Sequence, residues 1–234
     1  MNSMQTGDAD QWTLNVSTVM ALFAILVCYP AWRMAVAYFD LFPGGDGRES
    51  WWALWTVILV GHWFVAAVCA GAITSEQGGW RSIGLDVRLF IRGRYLWLTI
   101  ILVAAVAAYL APQYLYGETT PERMMSHPLG PVSEAERIFW IAMAITAGVV
   151  EEIVYRGYAL TRLKKILGAP AAIILSVAAF ALMHGPSAFQ LPFLALYVVS
   201  GLLFSGLFIA FGYRRLEWLI LFHILLDIGL VAAP

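Results

Sequence analysis

The chain has 234 residues, 61% apolar and 12% charged, against about half and about a quarter in an ordinary soluble domain. A soluble globule of this length could not hide so much apolar surface, and a disordered chain would not contain it, so the matching solvent is a lipid bilayer. The net charge of −1 offers no bulk attraction to nucleic acid, and none is expected as a partner.

In chain order, the opening MNSMQTGDADQW lacks the basic stretch of a cleavable signal peptide and leads into a full-length span. Seven apolar stretches follow, at residues 12–32, 51–73, 95–116, 137–160, 169–184, 190–211 and 216–232. Most approach the roughly 20 residues that a helix needs to cross the hydrocarbon. The fifth and seventh are short, and the first can run on through Ala35–Leu41, so the count is about seven, within six to eight. Strands exposed to lipid would leave backbone groups unpaired. The expectation is an all-α, polytopic transmembrane helical bundle forming a single integral membrane domain over residues 1–234.

The boundaries carry matching punctuation. Ser133-Glu-Ala-Glu136 has capping-box spacing ahead of the fourth stretch. Gly168-Ala-Pro170 fits a helix stop followed by a new start, and Gly185-Pro186 closes the fifth stretch. Trp51, Trp52, Trp80, Trp140 and Trp218 lie near stretch ends, as interfacial aromatics do. Cys28 and Cys69 sit inside apolar runs and read as small buried hydrophobes, neither a redox pair nor a metal motif.

With seven spans, one side of the membrane receives Arg81, Arg88, Arg92, Arg94, Arg162, Lys164, Lys165, Arg214 and Arg215. The other receives Arg33, Arg48, Arg123 and Arg137. The richer side is expected to be cytoplasmic.

Charges inside a span are expensive, about 2.5–3.5 kcal/mol each at mid-helix on insertion scales. The first three stretches hold almost none, His62 being their one notable polar intruder. The fourth holds Glu151, Glu152 and Arg156, the fifth His184, and the seventh His223 and Asp227. Glu152 and Arg156 are four apart and share a helix face, as do Phe180 and His184, and His223 and Asp227. Glu151 is rotated about 100° from Glu152 and is expected to point elsewhere. At about 1.5 Å per residue, Glu151, His184, His223 and Asp227 lie roughly 15, 22, 10 and 16 Å in from the basic side, in one slab near mid-membrane. Taken singly, a Glu–Arg pair reads as a packing clamp and His62 as a satisfied hydrogen-bonding residue. Taken together, costly residues at one depth ask for a common reason.

Such a set suits water activation. A buried carboxylate acts as general base, an imidazole holds the water and later delivers a proton, and a second polar pair stabilises a tetrahedral oxyanion. No GxSxG or other evident nucleophile motif is present, which favours direct attack by water. Zinc held by Glu151, His184 and His223 is the alternative, although the HExxH helix is absent.

EExxxR at Glu151–Arg156, FxxxH at Phe180–His184 and HxxxD at His223–Asp227, in that order on successive late stretches, resemble the motifs of the CAAX-prenyl-protease and bacteriocin-processing (ABI) family of intramembrane endopeptidases. The string EEIVYRGYAL extends the likeness beyond spacing, and GGWRSIGLDVR before the third stretch is a loop such proteins often show. The resemblance covers about residues 135–230 and implies that the catalytic core lies there. It implies a helical bundle with a cavity opening to the cytoplasmic leaflet, in which Glu151 and His184 activate water and His223 with Asp227 stabilises the oxyanion. Arg156 then holds the site by pairing with Glu152. It implies either a metal-free glutamate mechanism, preferred here with no cofactor required, or a metalloprotease. Many members carry Asn where this chain has Asp227, and a carboxylate donates to an oxyanion only when protonated. Asp227 is thus either neutral or an orienting partner of His223. The short loops resemble the prokaryotic branch, implying a cytoplasmic-membrane protein acting on membrane-associated or lipidated peptides. Two other classes compete. A non-catalytic immunity or scaffold protein would keep the same polar core without cutting. A proton-coupled carrier would show two symmetric halves, and none are visible.

Overall fold

A computed structural model describes residues 15–38, 48–76, 78–86 and 131–232. The third apolar stretch, 95–116, with Arg88, Arg92, Arg94 and Arg123, lies outside the described residues. Within them the chain is all-α, with six helices and no strand. Four helices are long and apolar enough to cross a membrane, at Val16–Ala37, Trp51–Ser75, Glu134–Leu167 and Leu191–Ala210. Ala169–Leu182 is a shorter apolar helix.

Helix α1 runs over Val16–Phe23, widens to a π-helix at Ala24–Cys28, and continues over Tyr29–Tyr38. It thus extends beyond residue 32 and carries Arg33 inside the helix, not in a loop. Its start is capped by the Asn15 side chain, which accepts from the Thr18 N–H at 2.8 Å. Helix α2 covers Arg48–Ser75. The Trp32 ring lies directly over Gly61, a position with no room for a Cβ, and this brings α1 close enough for Tyr29 to meet His62.

Helix α3 runs over Glu134–Glu151, a π-helical stretch at Glu152–Leu160, and Thr161–Leu167. The capping box forms as its spacing predicts, with Ser133 accepting from the Glu136 N–H at 3.2 Å and Glu136 accepting from the Ser133 N–H at 3.0 Å. Gly168 takes φ +80°, a left-handed backbone suited to glycine, and Pro170 sits in the first turn of α4, Ala169–Leu182. The fifth stretch ends earlier than residue 184. Gly185 at φ +74° followed by Pro186 cannot continue the helix, so His184 occupies a turn that leads into a 3₁₀ segment at Gly185–Phe189. Helices α5, Leu191–Ala210, and α6, Leu216–Ala232, complete the bundle.

The apolar residues divide between two environments. Ile25, Ile73, Val154, Tyr158, Leu160, Phe204, Phe208 and Leu216 are fully or nearly fully buried in the core. Met20, Phe64, Ile174, Val199 and other large apolar side chains are exposed. Outward-facing apolar surface of this kind is what a bilayer requires, and the chain is an integral membrane protein.

One buried clasp anchors the far end of α3. Arg162 holds Glu76 through both Nε, at 3.0 Å, and Nη2, and donates to the Ser82 carbonyl at 3.1 Å and to the Ser82 hydroxyl. Glu76 also accepts from Thr18 and Tyr158, each at 3.0 Å. Charges buried this fully persist only when paired and hydrogen-bonded. Here the pairing joins α1, the end of α2, the 3₁₀ turn Trp80–Ile83 and α3.

Candidate active site

The site forms where α3 meets α6. Gly148 lies against Ile224, so closely that a Cβ would sit 2.8 Å from the Ile224 nitrogen and 3.2 Å from its Cα. Small residues at such crossings let membrane helices approach backbone to backbone. One turn further along α3 come Glu151 and Glu152, and beside Ile224 comes His223.

His223 meets both carboxylates. Its Nδ1 is 2.8 Å from Glu152 Oε1, and its Nε2 is 3.7 Å from Glu151 Oε2 and 3.6 Å from Asp227 Oδ2. Glu151 has its hydrogen bond with His62, in a different direction from Glu152 as expected, but both acids also flank His223. The two acids reach opposite ends of one imidazole. Because a carboxylate only accepts, Nδ1–H donates to Glu152. The Nε2 distances exceed hydrogen-bond range, so that nitrogen is committed to neither acid.

Glu152 is also bound at 3.1 Å by Arg156 Nη1, the i,i+4 pair that the spacing predicts. Arg156 is buried, its guanidinium 4.2 Å from the centre of the Phe180 ring and 5.3 Å from that of Phe204. Both ring faces attract the cation where water does not reach. Phe180 thus joins the Glu152 pair to α4.

His184 is held by the same Phe180, whose carbonyl lies 2.8 Å from its Nδ1. A carbonyl can only accept, so Nδ1 carries the proton and Nε2 is the open nitrogen of the neutral ring. Tyr197 stacks on the imidazole with ring centres 3.8 Å apart, and its hydroxyl is 3.1 Å from Ser187 Oγ. Among the described residues no hydrogen bond or ion pair links His184 to Glu151.

His62 is the residue that sequence reasoning set aside. Its Nε2 lies 3.2 Å from Glu151 Oε1, while its Nδ1 is 3.0 Å from the Tyr29 hydroxyl and 2.9 Å from the Ile58 carbonyl. In the neutral ring Nδ1 accepts from Tyr29 and Nε2–H donates to Glu151; in the charged ring both nitrogens donate. In either state Nε2–H faces the acid. His62 is therefore hydrogen-bonded, as read, but its partner is the candidate base. Its signal was present as a lone polar residue in an apolar run.

The zinc alternative requires Glu151, His184 and His223 to converge. Among the described residues no group of three or more His, Cys, Asp or Glu side chains is arranged to hold a metal ion.

Every motif residue lies in the part of the chain that has a family match. Residues 133–229 match the family described as Type II CAAX prenyl endopeptidase Rce1-like. The match agrees with the resemblance carried by EExxxR, FxxxH and HxxxD, and it supports a CAAX-protease-like intramembrane peptidase in general. No curated protein and no solved structure matches the chain. The matched region contains both acids, Arg156, His184, His223 and Asp227, whereas His62 and Tyr29 reach it from helices outside the match.

Proposed function

We propose that the protein hydrolyses a peptide bond of a membrane-associated or lipidated substrate by direct attack of a water molecule that Glu151 deprotonates. The observation that carries this reading is Glu151 itself, a buried acid in a membrane helix flanked by His62 at 3.2 Å and His223 at 3.7 Å. Burial raises the strength of every electrostatic interaction around it and excludes competing solvent.

Glu151 takes one proton from the water, and the oxygen attacks the scissile carbonyl carbon. The carbonyl oxygen gains the negative charge. His223 as an imidazolium, with Nδ1–H held by Glu152 and Nε2–H committed to neither nearby acid, is the donor placed to stabilise it. Asp227 orients and supports the charge of that ring. As the C–N bond breaks, the leaving nitrogen takes a proton from the group that accepted it. His184, whose Nε2 is open, shares this proton transfer. Arg156, between Phe180 and Phe204, fixes Glu152 and through it His223. No metal is needed in this scheme.

The full bundle in this reading has about seven spans, with the basic loops and the cavity on the cytoplasmic side of a prokaryotic membrane. The test uses purified protein in detergent, a prenylated peptide and an unmodified hydrophobic peptide, each with and without a strong chelator. Cleavage that survives chelation supports the scheme. No cleavage of either peptide counts against peptidase activity, and cleavage lost with the chelator and restored by zinc assigns it to a metal.

A further inference from the structure

Arg33 lies inside α1 and is half-buried, yet nothing in the scheme above uses it. Its Nε donates to the Met183 carbonyl at 2.8 Å, which fixes the side chain against the turn that presents His184. That turn continues through Gly185, over which the Arg33 carbonyl also lies. Among the described residues the two terminal amino groups of the guanidinium make no hydrogen bond or ion pair. Among the described residues the ionisable groups that act on it include Glu151, Tyr29, Tyr155 and Tyr197, and it acts in turn on His184. None of these forms an ion pair with it, and a guanidinium within a membrane helix normally has one. Met183 engages the inner nitrogen and leaves the outer pair, the planar fork that matches a carboxylate bidentately.

We propose that Arg33 anchors a carboxylate of the peptide substrate beside the scissile bond. The inference rests on the peptidase reading of the site and adds a rule of substrate choice to it. A cation whose backbone anchor is one residue from His184 would hold the part of the substrate next to the reacting carbonyl. It would also offset repulsion between a substrate carboxylate and Glu151. Every unmodified peptide carries such a group at its C-terminus, and an acidic side chain is the other source.

The experiment compares a hydrophobic peptide as free acid and as C-terminal amide, plus an amide peptide with Glu or Gln placed between the cleavage site and the end. Wild-type protein should cut the free acid about tenfold to a hundredfold more efficiently in kcat/KM, the range of a lost charge-assisted pair. In Arg33→Gln the acid-to-amide ratio should fall toward one, and Arg33→Lys should keep part of it. A preference that follows Glu over Gln instead would assign the anchor to a side-chain carboxylate. Equal cutting of all four peptides by wild type overturns the anchor while leaving the peptidase reading intact. The same holds if Arg33→Gln discriminates as wild type does. Failure of wild type to cut any of them overturns both.

Discussion

Gly148 and Ile224 touch backbone to backbone, and that contact sets the distance between the acids of α3 and the imidazole of α6. A single methyl at position 148 would sit 2.8 Å from the Ile224 nitrogen. Backbone cannot yield there as a flexible side chain would. Gly148→Ala should therefore separate Glu152 from His223 and lower kcat by about tenfold to a hundredfold, since displacements near 1 Å have effects of that size. Steady-state cleavage together with a melting curve checks this. A variant with unchanged kcat would show that the crossing does not control the site.

His62 should matter as much as a motif residue, although it lies outside all three motifs. It holds Glu151 Oε1 at 3.2 Å and is itself held by Tyr29 and Ile58. His62→Ala should reduce kcat by about tenfold to a hundredfold with a smaller change in KM, as expected when an orienting hydrogen bond to a catalytic base is lost. A loss confined to KM would place His62 in substrate binding.

Arg156 is buried on Glu152 and between two phenylalanine rings. Arg156→Ala leaves a buried carboxylate without its ion-pair partner and should destabilise the protein by about 3–5 kcal/mol. Thermal unfolding in detergent would report it as a lower midpoint. Arg156→Ala together with Glu152→Leu should recover much of that stability without activity, because the uncompensated charge is gone and His223 has lost its Nδ1 acceptor.

Asp227 lies 3.6 Å from His223 Nε2, too far for a direct hydrogen bond. Asp227→Asn should therefore keep activity within about tenfold of wild type, whereas removal of the His223 imidazole should cost about a hundredfold or more. Comparing kcat for Asp227→Asn and His223→Ala separates an orienting acid from an essential one. Equal losses would make Asp227 part of the reacting set.

The late helices were legible in the sequence because lipid leaves little freedom there. Charge is so costly in a span that Glu151, Glu152, Arg156, His184, His223 and Asp227 stood out against an apolar background. The capping box at Ser133 and the break at Gly168-Ala-Pro170 were equally readable, since each is a local hydrogen-bonding or backbone rule. Two features were not. The convergence of Glu151 and Glu152 on His223 depends on how α6 packs against α3, which no local periodicity encodes. The contacts of His62 with Glu151 and of Arg33 with Met183 span 89 and 150 positions and arise from helix packing alone.

The most direct measurement of the central claim is single-turnover cleavage of a hydrophobic peptide by Glu151→Gln, set beside wild type at matched folded fraction. Gln has the shape of Glu but cannot accept a proton from water. The account predicts that wild type cuts and that Glu151→Gln is slower by about a hundredfold to ten-thousandfold, the range for losing a general base. Cleavage by Glu151→Gln at the wild-type rate would contradict it.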